Sequence, residues 1–355
     1  MKVNIITIHK EPNYGALLQA YALYHVLESL GAKPRIIDLS MIYRRRSYNL
    51  LNRLLITGHN YIKGYHICYA KAEEFAAKYE VCRTPEFQTL SQLKEFEWNK
   101  DDIYIVGSDQ VWNPELTAKL AQAYTFSFLN ADYKKYSYAS SFGNIKNEKR
   151  RSEQLDVEHT LNTFKRISVR ESFGVDYLQR QNISAIEVID PTLLVDDYSN
   201  LIDKQIVPSG NLLFLSLGTS VDMDRFVESA ANKIGLNIEK HFGYLQPQRS
   251  VNKRFLSVED WLWRIACSRV VITDSFHATV FSIIFEKPFY VYISNPSKSY
   301  RITNLLEKLG LSDRIVSNLD QVNIDAKIDY FAVKNKLKAY RIESLNYIKE
   351  ILRES

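Results

Sequence analysis

Short apolar runs alternate with helical patterns along the first half of the chain. The run VNIITI at 3–8 is typical of a buried strand, and apolar side chains then recur at helical spacing from Gly15 until Gly31 ends the pattern. Later runs that end in small polar residues, as strands do where they enter loops, are PRIIDL, DIYIVGSD, KYSYASSFG and KRISVRES. Such alternation predicts a mostly parallel sheet covered by helices.

A second alternation follows a polar stretch, residues 196–210, whose Pro208 and Gly210 are typical of a linker. Its predicted strands are NLLFLSLG, RVVITD and PFYVYIS, and its predicted helices lie near 222–234, over WLWRIACS and from Ser275 onward. The last thirty or so residues have a strongly helical pattern that is basic on one face.

The chain has 355 residues and is too long for one ordinary core. We expect two α/β domains, at 1–195 and 205–325, followed by a helical tail at 326–355. Ligands of parallel sheets bind at the carboxyl ends of the strands, where loops and helix N-termini gather. The default site is therefore a cleft between the two domains.

Composition narrows the class of protein. Apolar residues make up 46% and charged residues 25% of the chain, which is typical of globular proteins and argues against disorder. We find neither the features of a signal peptide after Met1 nor any run of 18 apolar residues. Three widely spaced cysteines without a CxxC pair argue against a disulfide framework and a structural zinc site. We therefore expect a cytoplasmic protein.

Positive charge is concentrated in one segment. Residues 39–72 contain six lysines or arginines and no carboxylate, whereas the whole chain has a net charge of only +5. Because the basicity is local, nucleic-acid binding is not expected. Tyrosines among these charges fit contact with anionic lipid or a lipid diphosphate, so peripheral attachment to the inner membrane face is one hypothesis. A solvated helical insertion is the other.

The segment HKEPNYGALLQAYAL lies between the first strand and the first helix. Asn13 is expected to cap that helix, and Gly15 to let a ligand approach free backbone N–H groups, which favour anions and polar sugar groups. An ordinary capped helix is the alternative. Neither a GxGxxG fingerprint nor a P-loop is present to support nucleotide binding.

Two other strand ends carry polar side chains. In IVGSDQVWNP, Ser108, Asp109 and Trp112 suit sugar binding, with hydroxyl groups meeting the carboxylate and a ring face meeting the indole. A turn with a core tryptophan is the alternative. In ISVRES, Arg170 is suited either to a two-pronged contact with a carboxylate or phosphate or to an interdomain ion pair with Glu171 or another acid.

The sharpest feature is VVITDSFHATVFSIIFEKPF. A strand ends and a helix begins at Asp274 or Ser275, either of which suits an N-cap, so His277 falls in the first helical turn beside free N–H groups. There the proton affinity of an imidazole depends on whether an anion is bound, which suits a general acid. A structural histidine is the alternative.

Six segments, in this order, resemble the polysaccharide pyruvyl transferase family: NYGALLQAYAL, GSDQVWN, YASSFG, SVRES, DPTLL and TDSFHATVFSIIFEKPF. The resemblance spans roughly residues 3–308. It implies two Rossmann-like domains facing each other across a cleft, as in GT-B glycosyltransferases, with the C-terminal helix crossing back to the first domain. It implies transfer of pyruvate from phosphoenolpyruvate to a sugar, closure of a pyruvate ketal and release of phosphate, without a metal or organic cofactor.

The resemblance also implies roles for residues. The family's histidine falls on His277, its strand-end arginine on Arg170, and a donor-binding lysine on Lys298, with Arg301 as a rival. The family's arginine two residues before the histidine is replaced by Ser275. The predicted catalytic residues are His277 and Asp109, the predicted donor-binding residues are Arg170, Ser275, Lys298 and Arg301, and the predicted acceptor-binding residues are Asn13, Gly15, Ser108 and Trp112.

The expected acceptor is a galactose-type sugar of a capsular or exopolysaccharide precursor on a lipid carrier. Two alternatives stay open. One is a GT-B glycosyltransferase that uses a nucleotide sugar, and the other is a non-catalytic sugar-binding protein of a polysaccharide assembly system.

Overall fold

The computed structural model describes residues 1–10, 13–39, 65–79, 81–117, 120–143, 160–217, 221–242, 256–293, 299–323 and 325–354. Most of the basic segment predicted at 39–72 lies outside these residues, and so does Lys298. The hypotheses about both stay predictions.

The first half of the chain forms a parallel sheet of four strands. They are β1 (Lys2–Ile6), β2 (Lys33–Ile36), β3 (Ile103–Val106) and β4 (Lys134–Ser137). Their order in the sheet is β2-β1-β3-β4, and each neighbouring pair is parallel. A parallel pair, β5 (Ser168–Val169) and β6 (Ile186–Glu187), follows and is bridged to the segment after β4 by Ser140 and Val169.

Helices cover this sheet. They are α1 (Tyr14–Ser29), α2 (Tyr65–Lys78), α3 (Leu90–Glu95), α4 (Pro114–Thr117), α5 (Ala121–Tyr124) and α6 (Ser172–Arg180). Nearly every side chain of the first of these, from Tyr14 to Leu27, is buried. A helix that is apolar all round has to be enclosed, and α1 is enclosed because it lies between the two halves of the molecule.

The second half forms a parallel sheet of five strands. They are β7 (Leu212–Ser216), β8 (Ile238–Phe242), β9 (Val270–Thr273), β10 (Phe289–Tyr292) and β11 (Ile315–Val316). Their order is β11-β10-β9-β7-β8. Its helices are α7 (Val221–Ile234), α8 (Val258–Cys267), α9 (Phe276–Ile284) and α10 (Tyr300–Leu309). The central strands β7 and β9 are buried along their whole length, which explains why they are continuous apolar runs in the sequence.

Aromatic packing joins the two halves. Tyr14 at the start of α1 stacks on Trp261 of α8, with ring centroids 5.1 Å apart and an interplanar angle of 13°. The Tyr14 hydroxyl also donates to the carbonyl of Leu256, 3.2 Å away. These contacts belong to one apolar cluster that runs from α1 into the second sheet, so the start of α1 is held against the second half.

The last helix, α11 (Tyr330–Arg353), spans about 36 Å and contacts both halves. Val333 and Leu337 pack in the core of the second half, while Ile348 and Ile351 pack in the core of the first. The hydroxyl of Tyr347 donates to the carbonyl of Ser137, 2.9 Å away, at the end of β4. The crossing of the C-terminal helix back to the first half is thereby confirmed.

The fold class predicted from the sequence is confirmed, because two parallel sheets covered by helices face each other across a cleft. The polar linker corresponds to residues 203–210, all of which are exposed. The boundaries 1–195, 205–325 and 326–355 stay predictions. Within the described ranges, no helix combines the length and the apolar character needed to cross a membrane.

Candidate functional site

A narrow cleft with a volume of about 20 Å³, room for about one water molecule, lies between the halves at the carboxyl edge of the second sheet. The start of α1 lines one wall, and the ends of β7 and β8 with the start of α9 line the other. The residues that line it include Asn13, Tyr14, Gly15, Ser216, His241, Trp261, Ser275 and His277. The expectation of a site between the two sheets therefore fits the geometry.

Capping decides where α9 begins. Of the two candidate caps, Ser275 is the N-cap, and its hydroxyl accepts a hydrogen bond from the backbone N–H of Ala278 at 3.4 Å. The carboxylate of Asp274 instead accepts from the backbone N–H of Leu217 at 2.8 Å and from the hydroxyl of Ser216 at 3.1 Å. Asp274 thus ties the end of β9 to the end of β7, and His277 is fixed in the first turn of α9.

The imidazole of His277 lies between the two halves and is only 8% exposed. Its Nδ1 side packs on Gly15, where a Cβ atom would be 1.9 Å from Nδ1 and 2.3 Å from Cγ. Only glycine leaves room for the ring at this distance. Its Nε2 lies 3.7 Å from Oδ2 of Asp190, which belongs to the first half.

Asp190 was missed as a functional candidate. Its Oδ1 accepts hydrogen bonds from the backbone N–H and the hydroxyl of Thr192, at 3.0 and 2.6 Å, and its Oδ2 accepts from Nη1 of Arg170 at 2.6 Å. Burial alone raises the pKa of this carboxyl, but the nearby imidazole of His277 and the charge of Arg170 outweigh burial and hold the pKa well below its usual range. The sequence signal was the Asp-Pro pair after a strand in DPTLL.

Arg170 is buried and holds carboxylates on three sides. Its Nη1 donates to Asp190 and its Nε donates to Oε1 of Glu171 at 3.4 Å, whereas Nη2 lies 3.6 Å from Oδ1 of Asp109 without a hydrogen-bond partner. Burial lowers the pKa of Arg170, but these carboxylates raise it above its ordinary value. Since Nη1 and Nε already donate to carboxylates, only Nη2 is left for a ligand, and contact of Arg170 with a ligand stays a prediction. The ion pairs also lie within the first half and not between domains.

Arg301, on α10 of the second half, is close to Arg170. Both guanidinium groups lie over the ring of Phe276, with carbon-to-centroid distances of 4.8 Å for Arg170 and 5.8 Å for Arg301. The side-chain amide of Gln110 offers its oxygen to Nη1 and Nη2 of Arg301, at 3.2 and 3.3 Å. Burial, and then the charge of Arg170, lower the pKa of Arg301. A bound anion would relieve the repulsion between these two cations.

Glu171, which follows Arg170 in SVRES and was one candidate for its ion-pair partner, is a second buried carboxyl. Its Oε1 accepts a hydrogen bond from the hydroxyl of Ser141 at 2.7 Å, whereas Oε2 has no partner. Burial raises its pKa, against the opposing effect of Arg170. Buried polar atoms without partners here are Oε2 of Glu171, Nη2 of Arg170 and Nε2 of His277. Because such atoms are costly unless satisfied, this region has hydrogen-bonding capacity for a ligand or water.

Two predicted acceptor-binding residues are wrong. The side chain of Trp112 is 0% exposed, and its indole N–H donates to the carbonyl of Tyr124 at 3.0 Å, so no ring face is free for a sugar. Ser108 is also 0% exposed, and its hydroxyl lies 2.6 Å from the backbone N–H of Asp109 and 3.4 Å from Asp190. The core tryptophan in a turn, the alternative interpretation, describes this segment.

Other candidates lie closer to their predicted places. Asn13 caps α1, accepting hydrogen bonds from the backbone N–H groups of Gly15 and Ala16 at 3.0 and 3.4 Å, and it lines the cleft. Asp109 has φ of 71°, in the left-handed region that few residues other than glycine adopt. Such backbone strain often marks functional positions. Across the described ranges, no group of three or more His, Cys, Asp or Glu side chains is arranged to hold a metal ion.

Comparisons with known proteins agree with this architecture. Residues 13–296 match the model of the family described as polysaccharide pyruvyl transferase. Among curated proteins, none matches this sequence.

Solved structures with a similar fold include UDP-GlcNAc 2-epimerase from Methanocaldococcus jannaschii in complex with UDP-GlcNAc and UDP, with a TM-score of 0.56 and 12% identity over 100% of both chains. The UDP-N-acetylglucosamine 2-epimerase from Rickettsia bellii has a TM-score of 0.55 and 11% identity over 100% of this chain and 96% of its own. An O-GlcNAc transferase mutant from Thermobaculum terrenum has a TM-score of 0.51 and 9% identity over 100% of this chain and 66% of its own. Identities this low establish likeness of fold, of the GT-B type, and nothing about substrates.

Proposed function

This chain belongs to the polysaccharide pyruvyl transferase family, and we propose that it moves the pyruvyl group of phosphoenolpyruvate onto a sugar of a surface-polysaccharide precursor as a ketal. Family membership makes it a transferase of polysaccharide biosynthesis. The donor and the ketal product are the proposed part. The observation that supports them best is one titratable side chain, His277, in a cleft between the halves with the cations Arg170 and Arg301 near it.

The chemistry follows from the enol phosphate of the donor. His277 gives a proton to the methylene carbon, which becomes a methyl group, and positive charge develops at C2. A sugar hydroxyl attacks C2, the bond from C2 to the phosphate oxygen breaks, and a second hydroxyl closes the ketal. The sugar hydroxyls lose two protons. One of them restores the acidic form of His277 and the other leaves with the phosphate, so no other reactant is needed. A positioned general acid typically contributes about 10²–10⁴-fold to such a step.

The donor carries close to three negative charges, so its pocket needs several cations and N–H donors. Arg301 and Nη2 of Arg170 are proposed to contact it, together with the first N–H groups of α9 near Ser275. The seryl hydroxyl stands where other family members are expected to have arginine. Lys298 is proposed as an additional donor contact.

The acceptor is proposed to approach from the first half. The carboxylate of Asp109 lies beside Arg170 and would orient or deprotonate an acceptor hydroxyl. The amide of Asn13 and the backbone at Gly15 line the cleft beside His277. A galactose-type sugar on a lipid carrier, at the inner face of the membrane, is the proposed substrate.

Ligand-induced stabilisation tests the donor. Phosphoenolpyruvate should raise the melting temperature with its concentration, according to RT ln(1 + [L]/Kd), and UDP-sugars should not. Inorganic phosphate serves as the control for a purely ionic effect. Stabilisation by a UDP-sugar and none by phosphoenolpyruvate would favour a glycosyltransferase instead. His277→Gln should keep the donor response while turnover falls about 10²–10⁴-fold; unchanged turnover would assign the acid elsewhere.

A further inference from the structure

We propose that Asp190 is the positioning residue of His277, holding the neutral imidazole as its Nε2–H tautomer so that Nδ1, on the Gly15 side of the ring, is the nitrogen that exchanges the proton. The inference rests on the proposed function where it treats His277 as the acid. The tautomer itself follows from contacts within the protein and can be measured without any substrate.

Hydrogen bonds from residues other than His277 hold the carboxylate of Asp190 in place. Thr192 occupies Oδ1 with both its backbone N–H and its hydroxyl, at 3.0 and 2.6 Å, which fixes the plane of the carboxylate. Arg170 and Ser108 approach Oδ2, at 2.6 and 3.4 Å. The remaining side of Oδ2 faces Nε2 of His277 at 3.7 Å. A carboxylate fixed in this way selects the ring nitrogen that carries the proton.

The contact crosses the cleft. Asp190 follows β6 in the first half, as the N-cap of a short 3₁₀ turn at Pro191–Leu193, whereas His277 lies on α9 of the second half. Nε2 of His277 is buried and has no hydrogen-bond partner at the present distance. The imidazole therefore forms its closest polar contact with the opposite half, and a small approach of the halves would complete the hydrogen bond.

The opposite edge of the ring is the one beside the ligand cleft. Nδ1 packs against Gly15, which lines the cleft together with Asn13 and Ser275. A proton on Nε2 faces a buried carboxylate and not the cleft. Nδ1 is therefore the ring nitrogen on the cleft side, and the ring can lie there because Gly15 has no Cβ.

Other charged groups surround this pair. Arg170 backs Asp190 and is itself balanced by Asp109 and Glu171. Arg301 lies beyond the ring of Phe276, and His241 lines the same cleft, with its Nε2 2.9 Å from Glu239. Asp190 is the carboxylate nearest to His277 among the described residues, so it is the one placed to select the protonated ring nitrogen.

The test is nuclear magnetic resonance of the full chain labelled with ¹⁵N-histidine. Comparison with His277→Gln identifies the signals of His277 among those of the seven histidines. We expect the neutral ring to be protonated at Nε2. In Asp190→Asn the share of the neutral ring protonated at Nε2 should fall, because the carboxylate that faces this nitrogen is gone. Glu171→Gln is the matched control, since it removes another buried carboxylate from Arg170 but none from His277.

A neutral ring protonated at Nδ1 in the wild-type protein would overturn the inference, and so would an unchanged tautomer ratio in a folded Asp190→Asn variant. If that variant does not fold, the wild-type tautomer decides by itself. Failure of phosphoenolpyruvate to be turned over would contradict the proposed function and leave the spectra unaffected.

Discussion

Because Gly15 contacts His277, the effect of Gly15→Ala on stability should have opposite signs with and without the imidazole ring. In Gly15→Ala the new Cβ would lie 1.9 Å from Nδ1 of His277, whereas carbon and nitrogen atoms in contact are about 3.5 Å apart. The ring must therefore move by about 1.5 Å or the two halves must separate. Overpacking of this kind costs about 1–3 kcal/mol. Displacement of an acid by more than 1 Å should lower turnover by about 100-fold.

A double-mutant cycle separates this clash from other effects of the substitution. Alanine is a better helix former than glycine by about 0.5–1 kcal/mol, and Gly15 lies in the first turn of α1. In a His277→Ala background, where the ring is absent, Gly15→Ala should therefore raise the free energy of unfolding. With His277 present it should lower it. Urea titration of the four proteins measures both differences. An equal effect of Gly15→Ala in both backgrounds would refute the packing described for this site.

Substitutions at three further positions test other parts of the structure. Trp112→Ala should lower the free energy of unfolding by about 3–5 kcal/mol because the indole is buried. Trp112→Phe should leave the KM for the acceptor unchanged. A raised KM in a stable Trp112→Phe protein would restore the role of Trp112 in sugar binding. Arg170→Lys should lower the free energy of unfolding, measured by urea titration, by about 3 kcal/mol, since an ammonium group cannot hold three carboxylates. It should also weaken the thermal stabilisation by phosphoenolpyruvate. Full stability of the variant would argue against the ion pairs. Burial raises the pKa of Asp38, but His9 and Lys10 outweigh burial and lower the pKa to about 2. The stability contributed by this carboxylate is therefore present above about pH 4 and is lost as the pH falls towards 2. Melting temperatures should therefore fall more steeply below pH 4 for the wild type than for Asp38→Asn, and parallel curves would contradict this.

The pattern of apolar residues predicted most central elements, because buried parallel strands are short apolar runs and their helices have caps that can be read directly. Asn13 and Ser275 both cap helices as the sequence indicated. Strand β8 was missed, since its sequence IEKHF contains charged residues that an edge strand tolerates. Helix α10 was missed too, although it carries Arg301 into the site.

The site was harder to predict than the fold because its chemistry depends on contacts between distant segments. His277, Arg170 and Arg301 were predicted from sequence, and Glu171 was named as a possible partner of Arg170, but the partner carboxylate Asp190 was not predicted. A residue's partners are set by how the halves pack, which no local pattern reveals. Trp112 shows the converse error, because an aromatic residue at a strand end has the same sequence pattern whether it is exposed or buried.

The central claim is tested most directly by turnover. The purified protein is incubated with phosphoenolpyruvate and a galactose-containing acceptor, phosphate release is followed, and the product is analysed for a pyruvate ketal. We expect phosphate to appear only when both substrates are present, in equal amount to the ketal, and to fall about 10²–10⁴-fold with His277→Gln. Transfer of a sugar from a nucleotide sugar to the same acceptor, with phosphoenolpyruvate left intact, would contradict the account.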